Sequence, residues 1–134
     1  MASLYFDEDV AVDLAQPLRA YGHRVTDAHA ERQEEQPDPY QLLFAAGHQY
    51  TLLAYNGRDH FLLHQAWSIW THRWGVPDRH AGIIWVPHSR PDQIGPLARE
   101  IDDLLTRADT VLDNTLYQLT RLGGEWLRNP RRLR

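Results

Sequence analysis

Apolar and polar positions alternate along this chain in blocks whose period switches repeatedly between that of a strand and that of a helix. Leu4-Tyr5-Phe6 is a short apolar run that ends abruptly in Asp7-Glu8-Asp9, and Val10, Leu14 and Leu18 then recur at helical spacing. The pattern predicts a strand, an acidic turn and a helix, with Pro17 kinking or dividing that helix and Gly22 stopping it. Residues 24–28 predict a second short strand, and the polar, nonperiodic residues 30–37 predict a mobile loop. Asp38 reads as an N-cap with Pro39 in the first helical position, and Leu42, Leu43 and Ala46 carry that helix to Gly47. Residues 50–55 form an apolar run of strand length, and Asn56-Gly57-Arg58-Asp59 turns the chain. Phe61, Leu62, Gln65 and Ile69, with Trp67, Trp70 and Trp74, predict the next helix, and residues 82–86 a fourth strand. This regular alternation implies an α/β fold: a parallel sheet of about four strands flanked by helices, joined by right-handed crossovers.

From Ile94 the pattern changes. Ile94, Leu97, Ile101, Leu104, Leu105, Ala108, Val111, Leu112, Leu116, Leu119 and Leu122 hold one helical seam, which predicts a long C-terminal helix of about 40 Å. A sheet measures roughly 17–20 Å along its strands, so half of such a helix would overhang or fold back. An overhanging apolar seam would seek a partner, either a second copy in a homodimer or another protein. A break near Asp109-Thr110 would instead give two antiparallel helices. The expected organisation is a core domain over residues 1–106, followed by a helical extension and basic tail over 107–134.

Composition narrows the chemistry. The 134 residues, 43% of them hydrophobic, suit one compact domain. All 14 positive charges are arginine, which excludes Walker-type phosphate loops, Schiff-base enzymes and the lysine-dependent phosphatases. The absence of cysteine excludes a disulfide frame and a thiolate zinc site. The N-terminus turns acidic before a signal-peptide core can develop, and no apolar stretch reaches the ~18 residues of a membrane span, so a cytoplasmic protein is expected. Net charge is −4, with five arginines against Glu125 in the last fourteen residues and an excess of acid before them. A bulk-acidic domain does not coat duplex nucleic acid. Acids gathered around a divalent ion would give the same balance, because the ion then supplies the positive field.

The alternation also says where the acids go. In an open parallel sheet functional groups gather at the carboxyl ends of strands, and Asp7 and Asp59 each follow a predicted strand while Asp38 begins the helix before the third. Three carboxylates on one rim repel one another unless a cation binds, and Mg²⁺ or Mn²⁺ prefers such oxygen ligands. Each acid also has a plainer role open to it, with Asp9, Asp38 and Asp59 as helix caps.

Residues 4–9 (Leu-Tyr-Phe-Asp-Glu-Asp), Pro37-Asp38 opening a helix, residues 56–64 (Asn-Gly-Arg-Asp-His-Phe-Leu-Leu-His) and residues 80–84 (His-Ala-Gly-Ile-Ile) together resemble the small PIN-like domains of bacterial toxin–antitoxin-type loci. The resemblance spans roughly residues 3–106. It implies a three-layer PIN-like fold and a Mg²⁺- or Mn²⁺-dependent ribonuclease, the toxin of a toxin–antitoxin pair, with RNA as substrate and an antitoxin as protein partner. It further implies catalytic roles for Asp7, Asp38, Asn56 and Asp59. Asp7, Asp38 and Asp59 would hold the ion with help from Asp9, Asn56 would orient water or metal, and Arg58 and His60 would contact the substrate. Asn56 stands where PIN enzymes often have aspartate, which favours one ion over a two-metal site. The alternative is a noncatalytic interaction module that keeps the fold, has lost the metal site at Asn56, and acts through its C-terminal helix.

Three other signals carry less. Asp7 and Asp9 have the spacing of a haloacid-dehalogenase nucleophile motif, but Ala11 stands where that motif needs Thr or Val. His60 and His64, four apart, have a spacing compatible with zinc, yet without a His-Glu-x-x-His pattern a helix-surface or RNA-facing role is the simpler expectation. Trp67, Trp70 and Trp74 form one helical stripe, expected to pack on the sheet, with base stacking or a partner socket as alternatives.

Overall fold

The computed structural model describes residues 1–55, 57–75 and 79–130. Its strands are β1 (Ser3–Phe6), β2 (Arg24–Asp27), β3 (Thr51–Ala54), β4 (Ile83–Trp85), β5 (Leu116–Leu119) and β6 (Trp126–Arg128). Its helices are α1 (Ala15–Ala20), α2 (Asp38–Gly47), α3 (Gly57–Trp74) and α4 (Ile94–Thr106). The six strands form one sheet in the order β2-β1-β3-β4-β5-β6, parallel throughout except for the antiparallel β5–β6 pair. The expected α/β class and parallel alternation are present, with six strands in place of about four.

Period two explains the layering. Leu4, Phe6, Leu53, Ile84 and Tyr117 point into one core with Leu14 and Leu18 beside α1 and Leu97, Ile101 and Leu104 of α4. The intervening Tyr5, Leu52, Ile83 and Leu116 point into a second core with Leu42 and Ala45 of α2 and Phe61 of α3. Strands buried on both faces read as continuous apolar runs, which is why residues 51–55 carry no polar alternation. α1 packs on α4 and α2 on α3, so the sheet lies between two helical layers.

Several boundaries differ from expectation. Pro17 falls in the first turn of α1, where it leaves no broken hydrogen bond, and a separate 3-10 turn over Val12–Leu14 precedes it. The cap of α2 is Pro37, without a side-chain cap bond, and Asp38 is the first helical residue. The segment expected to be a mobile loop is tied down: Gln33 N–H donates to Ala28 O at 2.7 Å, and Glu35 N–H to Glu8 Oε1 at 2.6 Å.

The C-terminal helix predicted from Ile94 to Leu122 ends at Thr106. Arg107 is extended (φ −67°, ψ 139°), the Thr110 hydroxyl donates to Leu104 O at 2.6 Å, and Asn114 takes a positive φ of 53°. Residues 116–119 then pair with β4, and a turn through Gly123 (φ +79°) returns the chain as β6. The extension expected over 107–134 is therefore, through residue 130, two more strands of the same sheet. The overhanging helix that was to carry a homodimer or a noncatalytic module is absent among the described residues. The physical reason is the edge of β4: left unpaired beside two buried faces it would expose a row of backbone donors and acceptors, and β5 satisfies them. Apolar period alone could not show this, because the leucines of residues 104–122 also fit a helix.

Gly82, at φ +108°, lets β4 begin beside residue 112, where an added Cβ would lie 2.9 Å from Leu112 O. Among the described residues no helix is long and apolar enough to cross a membrane.

Candidate metal centre

The chain reverses direction across the sheet between β1 and β3: β2 lies on one side of β1, and β3 to β6 on the other. Such a switch point opens a crevice at the carboxyl ends of the strands. Asp7 follows β1 directly, and its N–H still donates to Leu53 O at 3.0 Å, extending the β1–β3 pairing by one residue. The Asp7 carboxylate is therefore held by sheet geometry, not by a free loop. Its Oδ1 accepts the Glu8 N–H at 2.9 Å, leaving Oδ2 to face α3.

Oδ2 meets the fully buried His60, with Nε2 at 3.2 Å, and the same nitrogen lies 3.8 Å from Asp38 Oδ1. One ligand atom from each of Asp7, Asp38 and His60 falls within 4.8 Å of the others. Two ligands on one cation at about 2.1 Å are separated by roughly 3.0–3.4 Å at octahedral or tetrahedral angles. The His60 contacts already approach that spacing, so two carboxylate oxygens and one imidazole nitrogen suit a small divalent cation. A mixed nitrogen and oxygen set suits Mn²⁺ better than Mg²⁺.

Burial raises the Asp38 carboxyl above its ordinary range; His60 pulls it back, while the charge of Asp7 and the hydrogen bond and charge of Asp59 push it up again. The carboxylate form of Asp38 is thus disfavoured at this crowded acidic rim.

A buried brace orients the start of α2. The Tyr5 hydroxyl donates to Gln41 Oε1, and Gln41 Nε2 donates to Gln33 O at 2.6 Å and Gln36 O at 3.3 Å. Gln41 is 1% exposed and connects β1, the loop before α2 and the first turn of α2 that carries Asp38. Burial, followed by the charges of Asp7, Glu31, Asp27 and Glu8, raises the Tyr5 phenol, so it stays a neutral donor. Gln41 was overlooked in the sequence; a polar residue directly before Leu42-Leu43 was the available signal.

The other expected site residues fall as follows. Asp59 lies in the first turn of α3, exposed and hydrogen-bonded to Asp38. Asp9 is exposed and outside the group, because β1 ends at Phe6 and the chain turns at once, so strand alternation never returns it to the side of Asp7. Neither Asp9 nor Asp38 supplies a side-chain cap bond to its helix. Arg58 is exposed beside the rim, and Asn56 lies outside the described residues. His60, expected on the helix surface or facing substrate, is instead buried between the two aspartates, and its Nδ1 has no partner among the described residues.

His64, one turn further along α3, has a different environment. Its Nδ1 lies 2.9 Å from His80 Nε2, and His80 Nδ1 accepts the Gly82 N–H at 3.1 Å. Since that backbone group can only donate, the His80 proton is on Nε2 and is donated to His64 Nδ1. The remaining His64 nitrogen then carries the proton that bonds the Asn129 side chain. Burial lowers His64, and burial together with the neighbouring ring pushes His80 down to about 3.

No family model, curated protein or solved structure matches the chain.

Proposed function

We propose that this protein is a ribonuclease of PIN-like type, dependent on Mn²⁺ or Mg²⁺, in which Asp7, Asp38 and His60 hold the ion. The observation that carries this reading is the convergence of three ligand atoms within 4.8 Å at the sheet's switch point. The resemblance of the Asp7, Asp38 and 56–64 segments to PIN-like sequences supports the same conclusion. When bound, such an ion neutralises phosphodiester charge and activates water. Asp7 is fixed by its backbone bonds to Leu53 and Glu8, Asp38 by the Gln41 brace, and His60 by complete burial. Asp59, exposed and bonded to Asp38, is placed to hold the attacking water or steady Asp38, and the exposed Arg58 to draw in a phosphate. Asn56 keeps its proposed role of orienting water or metal, and an antitoxin remains the proposed protein partner.

The test is Mn²⁺ binding by calorimetry together with cleavage of single-stranded RNA. Wild type binds Mn²⁺ more tightly than Mg²⁺ and cleaves; Asp7→Asn loses at least about a hundredfold in Mn²⁺ affinity and abolishes cleavage. Absence of both binding and cleavage at millimolar ion would overturn the proposal.

A further inference from the structure

Beyond the rim, α3 presents a surface that the core does not use. Trp67 turns into the second core, but Trp70 and Trp74, one turn apart, lie outside it, 42% and 73% exposed. Their rings stack on each other, with centroids 6.1 Å apart and planes 7° apart. Leu62 and Ile69 are exposed on the same helix. From residue 60 to residue 75 the sequence has no acid, in a chain with 18 of them, and the exposed Arg73 stands at i+3 from Trp70, on the same side of the helix as the stacked pair. The acids of the rim gather instead at the opposite, N-terminal end of α3, where Asp7, Asp38 and Asp59 meet.

This stretch of helix carries no carboxylate of its own against a polyanion and offers flat aromatic surface with a cation beside it. An acidic peptide would match the charge, but its carboxylates offer the indoles no ring to stack on; a nucleic acid strand carries charge and flat bases together. The spacing joins this face to the rim: from Asp59 to Trp74 is fifteen residues, about 22 Å along the helix.

We propose that Trp70 and Trp74 form a stacking platform for unpaired bases of single-stranded RNA whose backbone runs along α3, past Arg73, toward the cation rim. This rests on the ribonuclease reading for its direction, but the platform itself requires no metal. Its test is therefore anisotropy of a fluorescein-labelled oligouridylate with the full chain in EDTA. Wild type binds the single strand, and binds a duplex of the same length more weakly. Trp74→Ala, at a position 73% exposed, weakens single-strand binding by about five- to hundredfold, and Trp74→Phe restores most of it. Both variants bind Mn²⁺ as wild type does, so failure of Mn²⁺ binding sinks the metal reading while oligouridylate affinity in EDTA still judges the platform. Equal affinity of wild type and Trp74→Ala, equal affinity for duplex, or no saturable binding by wild type overturns it. So does sedimentation showing a dimer that Trp74→Ala dissociates, because the face would then be an interface between copies.

Discussion

His60 and His64 occupy the same face of α3 one turn apart, and both are buried, yet they belong to chemically opposite sites. His60 ends against two carboxylates, Asp7 Oδ2 at 3.2 Å and Asp38 Oδ1 at 3.8 Å. His64 ends against a second imidazole at 2.9 Å, in a chain of bonds from the Gly82 N–H through His80 toward Asn129. The helix supplies the same residue twice, and depth beneath the strand ends decides what it meets. At the rim, β1 and α2 deliver two carboxylates to the imidazole, and it becomes a candidate ligand. One turn deeper only neutral groups are in reach, and the two rings become a structural cross-link between α3, the approach to β4 and the end of β6. A histidine spacing read along one helix therefore assigns neither function, because the partners come from other elements.

The sharpest way to break this comparison is to replace one buried histidine in each region. His80→Ala leaves His64 Nδ1 without its donor and opens a cavity, so chemical denaturation should show a loss of about 2–4 kcal/mol with Mn²⁺ affinity unchanged. His60→Gln should do the reverse, weakening Mn²⁺ binding by tenfold or more while stability in EDTA falls by less than about 1 kcal/mol. Loss of stability in both, with unchanged Mn²⁺ affinity, would make His60 another structural histidine.

Stability against pH in EDTA gives the next largest effect, and the two regions pull in opposite directions. His64 and His80 are lowered in the fold, so below about pH 6.5 the unfolded chain takes up more protons and stability declines. For His80 that decline continues toward pH 3, with a slope approaching about 1.4 kcal/mol per unit. Asp38 is raised, so above about pH 4 the fold retains a proton that the unfolded chain releases, and its contribution falls with rising pH. His80→Ala should flatten the acid limb, measured by urea midpoints across pH 3–7; an unchanged limb would remove the histidine pair from the explanation. The smallest effect should come from Asp59→Asn, which keeps a hydrogen bond to Asp38 and relieves one charge. Mn²⁺ affinity should fall only a few-fold in calorimetry, and a hundredfold loss would place Asp59 among the ligands.

Much of this arrangement was legible along the chain. The alternation from β1 to β4, the turn at Asp7, the start of α2 at Asp38 and the presence of α3 follow from apolar period and from Pro and Gly positions, all local signals, although α3 already begins at Gly57, inside the segment expected to turn. The rim acids were legible for the same reason, since chain alternation alone sends each strand end to one edge. Residues 107–130 were not, because Leu104, Val111, Leu112, Leu116 and Leu119 fit a helix by period while the need to pair β4 lies elsewhere in the fold. Gly123-Gly124, between the apolar Leu122 and the strand-forming Trp126-Leu127, was the hairpin signal opposing that helix. The tryptophan stripe was legible as a stripe, but it divides after Trp67, where the second core ends.

Sequence by itself thus determined the α/β alternation, the single acidic rim and the residue types available there, because each depends on near neighbours and on the direction of the chain. Tertiary structure alone decided that His60 joins Asp7 and Asp38, that Asp9 does not, that His64 pairs with His80, and that the last apolar segment becomes strands. Those outcomes turn on distances between segments far apart in sequence and on backbone groups that must find partners once buried, and neither is encoded in local period.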